Sequence, residues 1–179
     1  MQRSFDATGE PDEAIEASEE EERMSTQVKP IPDGYRGATP YLCCRGAGRA
    51  IEFYEKAFGA SELARMAQPD GRIGHAEIHI GEAVIMLADE FPEMGVRSPQ
   101  AIGGSPVSIH VYVEDVDAIA RQAVAAGAKL VRPVEDQFYG DRNCKLEDPF
   151  GHVWMISTHK EDVSPEEMTK RAAKLYGQS

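Results

Sequence analysis

No stretch of this sequence approaches the ~20 consecutive apolar residues of a membrane-spanning helix. No basic segment leads into an apolar one either, so neither a membrane span nor a secretory signal is expected. Cysteine is scarce: Cys43, Cys44 and Cys144 make an odd count without metal-type spacing. That pattern predicts a reduced, cytoplasmic protein rather than a disulfide framework. Positive charge is scarce too, with 19 Lys and Arg against 31 Asp and Glu in 179 residues, a net charge of −12. No basic stripe is available to neutralise a phosphate backbone, so nucleic acid is not an expected partner.

The acidity is uneven. Residues 1–23 hold nine acidic and two basic side chains, including Glu19-Glu20-Glu21-Glu22, and almost no large apolar group. Such a segment buries too little surface to offset its ordering entropy. Residues 1–30 are therefore read as an acidic, disordered leader, and Met24 as the start of a sequence that makes sense as an N-terminus of its own. An interaction role for the leader is the weaker of its two readings.

What is present is a unit that occurs twice. Residues 50–60 read as a helix closed by Gly59, and residues 116–128 as a helix closed by Gly127, 68 residues later. Each helix follows a short strand near 38–44 or 107–113. Each also precedes three strands, near 61–66, 74–80 and 83–89 in the first copy and 129–133, 143–147 and 153–158 in the second. Gly81-Glu82 is a two-residue hairpin connection, which pairs Ile80 with Ala83, His79 with Val84 and Glu77 with Met86. Residues 91–105, rich in Gly, Pro and Ser, read as a linker over a shared cavity. Residues 135–141 read as a loop, and Ser164-Pro165-Glu166-Glu167 as the capped start of a last helix over 164–176. The expected fold class is α+β, a domain over 31–165 built from two βαβββ modules at about 37–90 and 106–158.

The ordered set Thr39-Pro40-Tyr41-Leu42, Ala50-Ile51-Glu52-Phe53-Tyr54, Phe58-Gly59-Ala60, His75-Ala76-Glu77-Ile78 and Met86-Leu87-Ala88-Asp89-Glu90 carries a resemblance. So do Phe138-Tyr139-Gly140-Asp141-Arg142, Asp148-Pro149-Phe150-Gly151-His152 and Thr158-His159. The chain resembles the vicinal oxygen chelate superfamily, the glyoxalase/bleomycin-resistance/dioxygenase group, and within it the PhnB-like proteins. The resemblance implies paired βαβββ modules and a homodimer. In metal-dependent members four strand positions supply His or Glu ligands; counted from the motifs, these fall here on Thr39, Met86, Ser108 and Met155. Hydroxyls bind divalent ions weakly, and a thioether is too soft for a hard ion. No cofactor is therefore expected at the usual place. Some relatives of this type are labelled methyltransferases, but no glycine-rich nucleotide loop follows the first strand, which disfavours methyl transfer.

Strand alternation then names the cavity-facing groups. With Met86 facing the cavity, His75, Glu77 and His79 join it, as do Thr39, Tyr41 and Cys43 on the first strand. Ser108, His110, Tyr112 and Met155 do so in the second module. Tyr139 and Arg142 are placed on a loop at the mouth, Arg142 as a fork for an anionic ligand. His152 reads as a turn residue, and His159 as lying past its strand, able to line only the rim. Two functions follow. One is binding of a small organic molecule in a cleft of a metal-free dimer. The other is a lyase, isomerase or dioxygenase using a divalent metal moved to His75, Glu77, His79 and His110, or acid–base chemistry by Glu77, His75 and His110.

Overall fold

The computed structural model describes residues 28–35 and 37–177. The chain divides after Tyr35 into two compact units. In the first, Lys29 and Asp33 form an ion pair of 2.7 Å; the acidic leader otherwise lies outside the described residues.

The second unit contains both modules. Module one is β1 (Tyr41–Cys44), α1 (Ala47–Phe58), β2 (Ser61–Ala67), β3 (Ile73–Ile80) and β4 (Ala83–Asp89). A 3-10 turn (Pro92–Met94) and a single helical turn α2 (Pro99–Ile102) occupy the linker. Module two is β5 (Ser108–Tyr112), α3 (Val116–Ala126), β6 (Lys129–Asp136), β7 (Asp141–Glu147) and β8 (Val153–His159), followed by α4 (Pro165–Tyr176). Each module makes one four-stranded sheet, ordered β1-β4-β3-β2 and β5-β8-β7-β6. The α+β fold with paired βαβββ modules is thus the fold observed.

The sheets form because one face of each strand is apolar. Ala76, Ile78 and Ile80 on β3 and Leu87 on β4 are buried beneath α1, whose Ala50, Ile51, Tyr54 and Ala57 recur at helical spacing. The Gly46 position that opens α1 has no side chain to cap with, and Asp89 at the end of β4 does it instead, accepting from the Gly46 and Ala47 amides. In module two Asp115 caps α3 directly, accepting from the Ala118 amide.

The modules are joined by aromatic packing around one carboxylate. Trp154 lies 4.7 Å from Phe58 and 5.4 Å from Tyr54, ring centre to ring centre, so β8 of one module meets α1 of the other. Asp148, buried in the β7–β8 turn, accepts from Tyr54 Oη (2.8 Å) and Trp154 Nε1 (2.9 Å) on one oxygen. Its other oxygen accepts from the Phe150 and His152 amides, both at 2.9 Å. Gln122 of α3 donates to the Lys56 carbonyl at the end of α1.

Candidate functional site

The helix-free faces of the two sheets carry matching rows of side chains. In module one the register runs Ala64–Glu77–Met86–Tyr41 across β2, β3, β4 and β1. In module two the equivalent row is Arg132–Lys145–Met155–His110. The hairpin pairs expected from Gly81-Glu82 are present: Ile80 with Ala83, His79 with Val84 and Glu77 with Met86. A thioether therefore sits in the middle of each open face, beside an aromatic or imidazole ring.

On the first sheet Tyr41, His75 and Glu77 form a hydrogen-bonded chain. Tyr41 Oη lies 3.1 Å from His75 Nδ1, and His75 Nε2 lies 3.0 Å from Glu77 Oε1. With the imidazole neutral, its Nε2–H donates to the carboxylate and its Nδ1 accepts from the phenol. His79 lies one strand repeat further along the same face. Cys43, on the face of Tyr41, has its thiol pushed up to about 11, by burial first and then by Glu90 and Asp89. Such a thiol is not activated at neutral pH.

On the second sheet His110 Nε2 lies 2.7 Å from Ser157 Oγ, and its ring stacks on Tyr112 at 4.9 Å. Tyr112 Oη donates to Asp141, which also receives His159 Nδ1 at 2.8 Å. Burial pushes the Asp141 carboxyl up, but the bonds from His159 and Tyr112 outweigh it and hold it below the usual range. Tyr139, on the 137–140 loop as expected, accepts from Asn143 Nδ2 at 2.6 Å.

Three placements differ from the sequence reading. The expected 135–141 loop is shorter, because β6 runs on to Asp136 and β7 begins at Asp141. Arg142 is consequently a strand residue with the parity of Cys144 and Leu146, on the helix side. Its guanidinium forks onto Asp117 of α3 (2.7 and 2.9 Å) and reaches Asp136, so it is not among the open-face groups. His152 ends the β7–β8 turn, as expected, and is buried there; its Nε2 lies 3.1 Å from the Cys43 carbonyl, across the modules. His159 lies within β8, held between Asp141 and Asp162.

Among the described residues no three His, Cys, Asp or Glu side chains converge as a metal-binding group, so His75, Glu77, His79 and His110 do not assemble one within the chain. Thr39 precedes β1, and Met86, Ser108 and Met155 lie on β4, β5 and β8. Their donor set of two hydroxyls and two thioethers does not fit a catalytic divalent ion. A cavity of about 280 Å³ lies between β1, the start of β5 and the linker, lined by Tyr41, Cys43, Arg97, Pro99, Val107 and His152 among others. The linker forms its wall because Glu90 pins it, accepting from the Ser98 amide (2.9 Å) and hydroxyl (2.6 Å) while pairing with Arg45.

Sequence reasoning missed Asp148, His152, Arg132 and Lys145. The Asp-Pro-Phe-Gly turn signalled the first, and strand parity the last; the contacts of the other two are set by bulges and by the other module.

Comparison with known proteins agrees with this architecture. The family model for the glyoxalase/bleomycin resistance protein/dioxygenase superfamily matches residues 39–156. An uncharacterised protein of Mycobacterium bovis is 44% identical over 133 residues, covering 73% of this chain and 88% of the relative. Among solved structures, TioX from Micromonospora sp. ML1 is 27% identical with a TM-score of 0.54, covering 72% of this chain and 100% of TioX. A PhnB protein from Bacillus cereus, 18% identical over 69% of this chain and 99% of its own with a TM-score of 0.54, shares the fold. No helix among the described residues is long and apolar enough to cross a membrane. With the paired βαβββ modules and the matched span in hand, the chain belongs to the glyoxalase/bleomycin resistance protein/dioxygenase superfamily.

Proposed function

We propose that this chain binds a small organic molecule in a cleft formed by its open sheet faces, without the four-ligand metal of metal-dependent superfamily members. The observation that carries this reading is the pair of equivalent rows in which Met86 and Met155 sit mid-face beside Tyr41 and His110. Thioethers there make an adaptable apolar floor in place of an anionic ligand set. Beside the first face, at Tyr41 and Cys43, lies the cavity of about 280 Å³, near the lower end of ligand clefts at roughly 300–1,000 Å³, though neither methionine lines it. Tyr41 and Tyr112 are 52% and 61% exposed, so each face is half a cleft, which suits closure by a second copy in a cytoplasmic homodimer.

The reading is tested by elemental analysis of untagged protein, as isolated and after soaking with zinc, nickel, manganese and iron(II), followed by a small-molecule library screen. Absence of metal with hits that are lost in Met86→Glu and Met155→Glu variants is expected. Stoichiometric metal, abolished by His75→Ala and Glu77→Ala, would overturn it in favour of a metalloenzyme. An acid–base enzyme is the second reading, favoured by one observation, the Tyr41–His75–Glu77 chain. There Glu77 orients the imidazole and His75 moves the proton.

A further inference from the structure

Arg132 and Lys145 are direct cross-strand partners on the open face of the second sheet. Like charges in that relation repel, and a chain of net charge −12 has carboxylates to spare for neutralising them. None does so. Among the described residues neither cation lies in an ion pair, and the one polar contact of the Arg132 guanidinium is Nη2 donating to Asn143 Oδ1 at 2.7 Å. The Arg132 Nε–H is buried without a hydrogen-bond partner, the only such side-chain atom among the described residues. Leaving a buried donor unmet costs about 1–3 kcal/mol. The equivalent row of the first sheet has Ala64 and Glu77 where this one has Arg132 and Lys145, so the pair is particular to module two.

We infer that this face holds the oxyanion of an organic ligand between Arg132 and Lys145. The inference rests on the cleft reading above and adds the class of ligand: a carboxylate or phosphoryl group on a flat, apolar body. One oxyanion would accept from Arg132 Nη1, which has no hydrogen-bond partner among the described residues, and from Lys145 Nζ, cancelling the like-charge repulsion at the same time. Next along the row Met155 supplies a half-buried thioether, and beyond it the stacked rings of His110 and Tyr112 offer an aromatic surface. Asn143, fully buried between Arg132 and Tyr139, holds the guanidinium in place. Arg132 and Lys145 are therefore ligand-binding residues, and Asn143 a positioning residue.

The test is calorimetric titration of the full chain with 2-naphthoate, 2-naphthyl phosphate and the neutral 2-naphthamide, for wild type, Lys145→Gln and Arg132→Gln. Circular dichroism melts show that each variant is folded, and Arg132→Lys keeps the charge without the fork should Arg132→Gln fail to fold. The anions are expected to bind about tenfold more tightly than the amide, and this preference to fall to about unity in Lys145→Gln. The ratio of naphthoate to naphthyl phosphate affinity identifies the head group. Equal affinity for acid and amide, or an anion preference untouched by both Gln variants, overturns the inference and leaves the cleft reading standing. So does a Lys145→Gln protein whose oligomeric state changes while its anion preference does not. The cleft reading itself falls with an empty library screen, or with stoichiometric metal that His75→Ala and Glu77→Ala abolish.

Discussion

Replacing the buried carboxylate of Asp148 by an amide should loosen the junction between the modules. Both oxygens of Asp148 are fully engaged, one by the Phe150 and His152 amides and the other by Tyr54 Oη and Trp154 Nε1. In Asp148→Asn the NH₂ must face one of these pairs. Facing the backbone amides it meets two donors that cannot turn. Facing the side chains it meets one hydroxyl that can rotate to accept and one indole N–H that cannot. The second orientation is therefore preferred, and it strands the Trp154 N–H. A bond to a charged acceptor contributes about 1.5–3 kcal/mol, and a stranded buried donor adds about 1–3. With the backbone bonds weakened but kept, the loss should be ~3 kcal/mol, a large share of a total that is typically ~5–15 kcal/mol. Urea unfolding followed by Trp154 fluorescence reads it directly, since this is the chain's sole tryptophan and lies at the junction. The midpoint should fall by about 1–2 M at ordinary denaturant slopes. Tyr54→Phe removes one donor and leaves three, so about 1–2 kcal/mol is expected of it. An Asp148→Asn midpoint indistinguishable from wild type, or a Tyr54→Phe loss as large as that of Asp148→Asn, would refute the reasoning.

Glu90→Gln should release the linker, speeding amide exchange or limited proteolysis in 91–106 by about tenfold, for a loss near 1–2 kcal/mol. The Glu90 carboxyl is held at about 2 by Arg45 and Ser98. Its depressed value means that the latch is fully formed above ~4.5 and lost as pH falls towards 2, which acid titration of the same proteolysis rate checks. The two well-held histidines should titrate in opposite directions. His159 is raised by its bonds to Asp141 and Asp162, so its contribution is full below ~6.5 and fades as pH rises through its folded value. His152 is lowered by burial, so stability falls as pH drops below ~6.5, and imidazole NMR titration should show the two transitions on either side of that point. Gly140→Ala should destabilise by ~2 kcal/mol or more in thermal or urea melts, because φ is +100° and an added Cβ would overlap the Glu161 carbonyl.

The parts of the fold legible in the sequence were those fixed locally. Gly81-Glu82 sets the β3–β4 register through a two-residue turn, and that register alone puts His75, Glu77 and Met86 on one face. Ser164, Pro165 and Glu167 likewise announce the start of α4 within one turn of chain. Where alternation breaks, legibility ends. β6 carries irregularities between Leu130 and Arg132 and again between Arg132 and Glu135, so counting by twos does not place Arg132 on the open face. Arg142 had a readable parity, but a strand start set two residues late turned it into a loop residue. His152 was unreadable for another reason: its partner, the Cys43 carbonyl, lies 109 residues away in the other module.

The linker is the sole covalent path between the modules, yet the bonds that join them lie elsewhere, in Tyr54, Asp148, Trp154, His152 and Gln122. Within the linker, Gly103 and Gly104 both have positive φ and nothing packed where a side chain would stand. A cut between them removes no buried contact. Two polypeptides, one ending at Gly103 and one beginning at Gly104, should therefore find each other and rebuild the junction, as split halves of a reporter do. Joining them in one chain raises the effective concentration of each half for the other to the millimolar range. Covalent continuity here governs how often the halves meet, and the buried carboxylate governs how long they stay together.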